Sequence, residues 1–329
     1  MSALAPTLEA FFTERLLHQR LASAHTIAAY RDTFRLLLGF AQCRLGKAPA
    51  KLQLEDLAPT LVDAFLRHLE VERHNSVPTR NNRLAAVHSF FRFAALRHPE
   101  HAALIQRVLA IPPKQTERNL VAFLTRPEVD ALLAAPDRSH WVGRRDLALL
   151  LLAMQTGLRV SEITGLTCQD VHLDTGAHVR CRGKGRKERC TPLTAQTAAV
   201  LRTWLAERRG QLDDPLFPSL RGTALSRDAV AWMTAKYAEV AKRTCPSLQS
   251  KRVSPHVLRH TAAMQLLQAG VDTSVIALWL GHESTETTHI YLHADLDIKE
   301  KALARTAPPS TNPGRYHPPD TLLAFLESL

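Results

Sequence analysis

The segment "LGHESTETTHIYLH", residues 280–293, concentrates three histidines, one tyrosine and several hydroxyl side chains in a chain that otherwise consists of amphipathic helices. Two more histidines, His256 and His260, stand upstream in "SPHVLRHTAAMQLLQAG", residues 254–270. These histidines either surround a metal ion or assist a single nucleophile. The rest of the chain decides between the two hypotheses.

The metal hypothesis depends on His256 and His260, which are four residues apart and therefore share one face of a helix. In zinc-binding helices with this spacing a catalytic glutamate directly follows the first histidine, but the residue here is Val257. Arg259, between the two histidines, would also repel a cation. We therefore expect no metal site and no other cofactor.

The composition is basic, which favours a polyanionic partner. The 329 residues suffice for two domains, and 42 Lys plus Arg against 31 Asp plus Glu give a net charge of +11. The basic residues form short clusters, which favours nucleic acid over a membrane surface. Five scattered cysteines without a C-x-x-C pair indicate reduced thiols. With neither a signal-peptide pattern nor a membrane-length apolar run, we expect a soluble, cytoplasmic protein without membrane contact.

Helical periodicity dominates the chain. Four helical patterns fill the first third, around residues 7–20, 24–44, 57–73 and 79–97. The paired prolines of "IPPKQTERN", residues 111–119, exclude a helix and mark the expected domain boundary. Further on, turn signals in "LDTGAHVRCRGKGRKERCTPL" predict two or three short antiparallel strands. The predicted fold is mainly α, with a small antiparallel β-sheet in the second domain.

Several positions could carry phosphate chemistry, although each signal is weak alone. A capped helix start favours an anion beside His256 and Arg259, which share one helix face. Glu162 is close enough to Arg159 in the sequence to orient its guanidinium. The candidates, in chain order, are Arg159 and Glu162 in "TGLRVSEI", Lys184 in "GKGRKER", His256 and Arg259 in "SPHVLRH", His282 in "LGH", and Tyr291 nine residues later.

Taken together, these motifs resemble those of the tyrosine recombinases of the phage-integrase and Xer-like family, and all six catalytic positions of that family find a match. The resemblance implies a helical, SAM-like core-binding domain at residues 1–110, a linker at 111–122 and a catalytic domain at 123–295. It also implies a site-specific recombinase that needs neither metal nor ATP and acts in DNA integration, excision or transposition of a mobile element, or in Xer-like resolution. The expected partners are double-stranded DNA carrying a recombination site and further copies in a tetramer, or a related recombinase.

The chemistry explains these residue types. Arg159 and Arg259 would clamp the phosphate oxygens while Tyr291 attacks the phosphorus and forms a 3′-phosphotyrosyl link. His256 is our first choice as acceptor of the tyrosine proton, and His282 would bind the phosphate. By resemblance Lys184 protonates the leaving 5′ oxygen, with Lys187 as the alternative. For the remaining histidines, His260, His289 and His293, we expect structural roles.

DNA contacts outside the active site are predicted from basic residues at helix starts and along helix faces. These candidates are Arg31, Arg35, Arg80, Asn81, Arg83, Arg186 and Lys187. The competing hypotheses are a type IB topoisomerase-like enzyme that relaxes DNA, a DNA-binding factor that does not cut, and a metal-dependent nuclease.

The tail, residues 296–329, contains the proline-rich tether "APPSTNPGRYHPP" and ends in the apolar segment "DTLLAFLESL". A helix this short is marginal in water, so we expect it to dock, either on its own catalytic domain or, as the resemblance favours, on a neighbouring protomer.

Overall fold

The computed structural model describes residues 4–116, 121–183, 188–281, Thr288 and Tyr291. The chain divides into two compact units, Met1–Arg118 and Asn119–Leu329. The tail at residues 296–329, with its predicted docking helix, lies outside the described residues. The described helices include none that is both long and apolar enough to cross a bilayer.

The named elements of the first unit are all helices. Helix α1 continues directly into a π-helical segment at Phe11–Gln19. The predicted four helices are present, but the chain forms a further one, α5, whose eight residues precede the prolines. The helices bury a phenylalanine-rich core that includes Phe11, Phe34 and Phe90. Their bounds are Leu4–Ala10 for α1, Ala24–Leu45 for α2, Pro59–Val71 for α3, Val77–Ala94 for α4 and Ala102–Leu109 for α5.

The second unit combines seven described helices with a three-stranded sheet. Helix α7 lies at its centre and packs on both α9 and α11. The described helices are α6 at Arg126–Ala134, α7 at Trp141–Thr156, α8 at Val160–Thr164, α9 at Ala195–Arg208, α10 at Arg227–Ala241, α11 at Pro255–Gln268 and α12 at Thr273–Leu280. A core of leucines, Trp204 and Tyr237 fills the space between them.

The sheet is antiparallel in the order β1, β2, β3, with strands Val171–His172, His178–Arg182 and Glu188–Pro192. Val179 lies opposite both Val171 and Thr191. The predicted fold class is therefore confirmed. The turn proposed around Gly183, Lys184 and Gly185 falls mostly outside the described residues, because 184–187 are not among them.

Local sequence signals set the ends of the helices that carry the site. Helix α11 begins after Ser254, whose hydroxyl accepts a hydrogen bond from the backbone N–H of Val257, with Pro255 in the first turn. Helices α7 and α12 end at Gly157 and Gly281, which have φ of 64° and 65°. A Cβ on Gly157 would lie 2.6 Å from Leu280 Cδ2, so glycine also permits close packing of these two helix ends.

Candidate active site

Arg159 and Glu162 form a reciprocal pair at the start of α8. The backbone N–H of Arg159 donates to Glu162 Oε2 over 2.7 Å, and Arg159 Nη1 donates to Glu162 Oε1 over 3.0 Å. The Arg159 side chain keeps 32% of its surface exposed, whereas that of Glu162 keeps 3%. The glutamate therefore fixes an arginine whose guanidinium still faces solvent, as its sequence spacing predicted.

Arg259, on α11, is held by two backbone carbonyls. Its Nη1 donates to the oxygen of Gly157 over 2.6 Å, and its Nη2 donates to the oxygen of Leu280 over 2.8 Å. These contacts join the ends of α7 and α12 to the first turns of α11. The residue is only 6% exposed, so its guanidinium is fixed in one orientation.

The C-terminal end of α12 accepts hydrogen bonds from three arginines. Arg189 Nε donates to the Trp279 oxygen over 3.2 Å, Arg259 binds the next carbonyl, and Arg159 Nη2 donates to the Gly281 oxygen over 3.0 Å. The last carbonyls of a helix lack intrahelical partners and carry partial negative charge, so they attract guanidinium groups. This helix end therefore gathers three arginines from three different elements.

Arg189 is a site residue that the sequence analysis missed. Its Nη1 and Nη2 donate to the two carboxylate oxygens of Glu162 over 3.0 and 2.8 Å. A signal was present in the alternation along β3, where Glu188 and Cys190 are exposed while Arg189 and Thr191 face inward. An inward-facing arginine in a strand requires a buried partner, and Glu162 supplies it.

The electrostatics of the cluster favour an anionic ligand. Burial raises the pKa of Glu162, but hydrogen bonds from Arg189 and the backbone N–H of Arg159 outweigh it and lower the pKa overall. Burial, reinforced by the nearby charge of Arg159, lowers the pKa of Arg259 to about 10, so its guanidinium remains charged at neutral pH. Three guanidiniums thus surround one carboxylate, and a phosphate group would balance the excess.

Tyr291 is buried beside this cluster, with 1% of its surface exposed. Its hydroxyl lies 3.0 Å from His260 Nδ1, and the two rings meet edge to face. Burial raises the pKa of Tyr291, although the charges of Arg259 and Arg159 oppose that effect. His260, for which the sequence suggested a structural role, thus contacts the predicted nucleophile, a contact that the i, i+4 histidine spacing alone could not reveal.

The remaining predicted catalytic residues divide into two groups. His256 lies exposed in the first turn of α11, one turn before His260, and close enough for its charge to affect the pKa of that residue. The catalytic candidates Lys184, Lys187 and His282 lie outside the described residues. The same holds for Arg186, predicted to contact DNA, and for His289 and His293, predicted to be structural. The structure therefore brings together Arg159, Arg259 and Tyr291 from the predicted set, and adds Arg189 and His260.

In the first unit, the predicted DNA-contact residues differ in accessibility. Arg31 and Arg35 are exposed on α2, and Arg31 pairs with Asp32. Arg83 is half-buried, and its pKa is lowered by burial and then by the charge of Arg73. Two neighbouring positive groups of this kind suit a phosphate.

Arg80 does not fit its predicted role as a DNA contact. It is 4% exposed, and its Nη1 donates to the Pro112 oxygen over 3.2 Å and to Asn81 Oδ1 over 3.1 Å. Asn81 in turn holds both backbone groups of Lys114. These two side chains tie the segment after α5 to α4, so their polar groups are engaged within the unit.

The described part of the chain contains no group of three or more histidine, cysteine, aspartate or glutamate side chains that could hold a metal ion. The cluster around Tyr291 instead offers guanidinium groups, an imidazole and a phenol. Such a set suits the transfer of a phosphoryl group to the phenol oxygen.

Comparison with known proteins identifies the family. The phage integrase family model matches residues 122–297, and the model of the phage integrase N-terminal SAM-like domain matches residues 10–98. The protein y4rC of Sinorhizobium fredii, which its name assigns to the integrases and recombinases, is 60% identical over 100% of this chain and 99% of its own length. Tyrosine recombinase XerC of Pelobacter propionicus is 33% identical over 92% of this chain and 95% of its own.

Solved structures share the fold. The XerH site-specific recombinase bound to a palindromic difH substrate has a TM-score of 0.70 at 24% identity, over 87% of this chain and 81% of that one. The Tn1549 transposon integrase in complex with a circular intermediate DNA has a TM-score of 0.68 at 16% identity, over 93% of this chain and 100% of that one. The chain therefore belongs to the phage integrase family and is a site-specific recombinase of the tyrosine type.

Proposed function

We propose that Tyr291 is the nucleophile with which this recombinase cuts and rejoins duplex DNA at a specific site. The observation that carries the proposal is the position of its buried phenol near Arg259 and Arg159, whose charges oppose the rise of its pKa. The phenol oxygen attacks the scissile phosphorus, the bond from phosphorus to the 5′ oxygen breaks, and the strand is left as a 3′-phosphotyrosyl ester. Rejoining reverses these steps without ATP, because the ester retains the bond energy.

Arg159 and Arg259 act as the phosphate clamp in this proposal. The phosphorane formed during attack carries extra negative charge on its non-bridging oxygens, and fixed guanidiniums stabilise that charge. The two arginines are already oriented by Glu162 and by the carbonyls at the ends of α7 and α12. The site therefore requires little reorganisation when the charge develops.

Two proton transfers, from the phenol and to the leaving 5′ oxygen, also need residues. The phenol must lose its proton during attack, and we assign the exposed His256 as the acceptor because it stands at the capped start of the helix that carries Arg259. The leaving 5′ oxygen gains its proton from Lys184, with Lys187 as the alternative, and His282 binds the phosphate. These last three assignments rest on the sequence motifs.

The DNA partner and the assembly follow from the family. Solved relatives are bound to recombination-site DNA, and the λ integrase is a dimer on a core site. We propose that this chain acts in the cytoplasm on paired sites as a tetramer, or together with a related recombinase, and that the apolar end of its tail links neighbouring protomers. The reaction serves either a mobile element or Xer-like resolution.

The experiment that tests this function is covalent capture. The protein is incubated with nicked fragments of the source genome, the reaction is stopped with detergent, and the DNA bound covalently to protein is sequenced. We expect one recurring sequence, attached through its 3′ end and leaving a free 5′ hydroxyl. Attachment through the 5′ end, or fragments without a shared sequence, would contradict the proposal.

A further inference from the structure

The ring of Tyr291 is held by apolar packing that leaves its hydroxyl to be oriented by other groups. A buried tyrosine hydroxyl normally has a hydrogen-bond partner, and the partner determines where the O–H bond points. Among the described residues, the apolar cluster around the ring includes Ala263, Met264 and Leu267 of α11 and Ile276 and Leu280 of α12.

His260 meets that hydroxyl from the helix that carries the phosphate-binding residues. The distance from Nδ1 to the hydroxyl is 3.0 Å, and the ring centroids are 5.6 Å apart at an interplanar angle of 62°. His260 directly follows Arg259 and lies one turn after His256. The hydrogen bond that joins the phenol to this residue therefore fixes the phenol oxygen relative to both of them.

Both members of the pair are neutral at physiological pH. Burial, reinforced by the charges of His256 and Arg259, lowers the pKa of His260 to about 4. The pKa of Tyr291 is raised, so the phenol retains its proton. A neutral imidazole has one acceptor nitrogen, and the phenol O–H donates to Nδ1 when Nε2 carries the ring proton.

We propose that His260 is a positioning residue for Tyr291: before attack the hydroxyl donates to His260 Nδ1, which fixes the phenol oxygen facing the phosphate between Arg159 and Arg259, and during attack the proton leaves for His256. This inference rests on the proposed role of Tyr291 as nucleophile. A nucleophile displaced by about 1 Å can lose about 100-fold in rate, so the contribution of His260 lies in the rate of attack and not in DNA affinity.

The test compares three substitutions on a nicked substrate that carries the captured site. His260→Asn places an acceptor oxygen near the position of Nδ1, whereas His260→Gln places it near that of Nε2. We expect His260→Ala to cleave about 10-fold to 100-fold more slowly in single turnover at saturating DNA. His260→Asn should recover most of the rate, His260→Gln should remain slow, and all three should bind the site with the affinity of the parent.

The outcomes separate this inference from the function on which it rests. His140→Ala, at an exposed position before α7, controls for the loss of a histidine. Cleavage by His260→Ala at or above the parental rate would overturn the positioning role, as would equally slow cleavage by the Asn and Gln variants. A parent protein that forms no adduct at Tyr291 would instead refute the proposed nucleophile itself.

A spectroscopic measurement on the parent protein does not depend on how the His260 variants fold. The ring ¹H–¹⁵N spectrum should show His260 as the Nε2–H tautomer, and Tyr291→Phe should shift its Nδ1 resonance by removing the donor. An Nδ1–H tautomer, or an Nδ1 resonance unchanged in Tyr291→Phe, would contradict the proposed hydrogen bond.

Discussion

Arginines are held differently in the two units of this molecule. In the second unit Arg159, Arg189 and Arg259 are tied to Glu162 or to helix-end carbonyls, so their guanidiniums have fixed directions. In the first unit Arg31 and Arg35 extend into solvent from α2. Fixed arginines suit the stabilisation of a transition state at one point, whereas exposed arginines suit an extended and salt-sensitive contact with a DNA backbone.

The largest effect is expected from the most constrained arginine. Arg259→Lys keeps a positive charge but cannot span the carbonyls of Gly157 and Leu280 while also facing a phosphate. We expect cleavage to fall by about 10²-fold to 10³-fold in single-turnover assays, with DNA binding largely retained. Arg144→Lys, at the opposite end of α7, is the control and should cleave normally. Parental cleavage by Arg259→Lys would show that orientation of the guanidinium is unimportant.

The next largest effect is expected on the free energy of unfolding. Glu162→Gln removes the carboxylate between Arg159 and Arg189, and breaking a buried ion pair costs about 3–5 kcal/mol in the free energy of unfolding. The pKa of Glu162 is lower in the folded state, so its contribution is present above the unfolded pKa of about 4.3 and is lost as pH falls through the folded pKa.

Urea unfolding from pH 7 down to pH 3 checks this prediction. The parent and Glu162→Gln should differ most at neutral pH and converge in acid. Glu207→Gln, which breaks a more exposed pair with Arg144, should be close to the parent throughout. A constant difference between the parent and Glu162→Gln across this range would contradict the role of ionised Glu162.

A smaller effect distinguishes two arginines of α4. Arg83→Ala should weaken DNA binding and reduce the slope of log affinity against log salt by about one, because one phosphate contact is lost. Arg80→Ala should leave that slope unchanged and lower thermal stability, because it removes the bond to the Pro112 oxygen. DNA titrations at several salt concentrations measure the two slopes, and thermal unfolding measures the stability. A slope that is reduced in Arg80→Ala but not in Arg83→Ala would reverse the assignment.

The smallest effect should follow from metal removal. Guanidinium groups occupy the role that cations fill in metal-dependent nucleases, so we expect cleavage to proceed at an unchanged rate in excess EDTA. The assay is adduct formation on the nicked substrate with and without chelator. If EDTA abolished the adduct and one divalent ion restored it, the hypothesis that the histidines bind a metal ion would be supported instead.

Local spacing and the family resemblance predicted Arg159, Arg259 and Tyr291, whereas two contacts that form only on folding were missed. Arg159 and Glu162, three residues apart, were recognised as a pair, and the ends of α7, α11 and α12 followed from glycines and capping residues. The contact between Arg189 and Glu162 joins a strand to a helix, and that between His260 and Tyr291 spans 31 residues. Such contacts depend on tertiary packing, which one-dimensional patterns do not specify.

The burial of charged side chains was also poorly predicted where such a side chain has a structural role. Arg80 stands at a helix start rich in polar groups, which suggested phosphate binding, yet the segment after α5 folds over it. Helix α5 was missed although its eight residues bury Ile105 and Val108, which are three residues apart as on one helix face. Arg83, three residues after Arg80, remains partly accessible, so the same pattern produced one buried and one accessible arginine.

The measurement that tests the central claim most directly is identification of the residue joined to DNA. The parent protein is trapped on the nicked substrate in the presence of EDTA, digested with protease, and the nucleotide-bearing peptide is sequenced by mass spectrometry. We predict a single adduct on Tyr291, and no adduct for Tyr291→Phe, which should bind DNA like the parent. An adduct on another residue, or one that persists in Tyr291→Phe, would contradict the account.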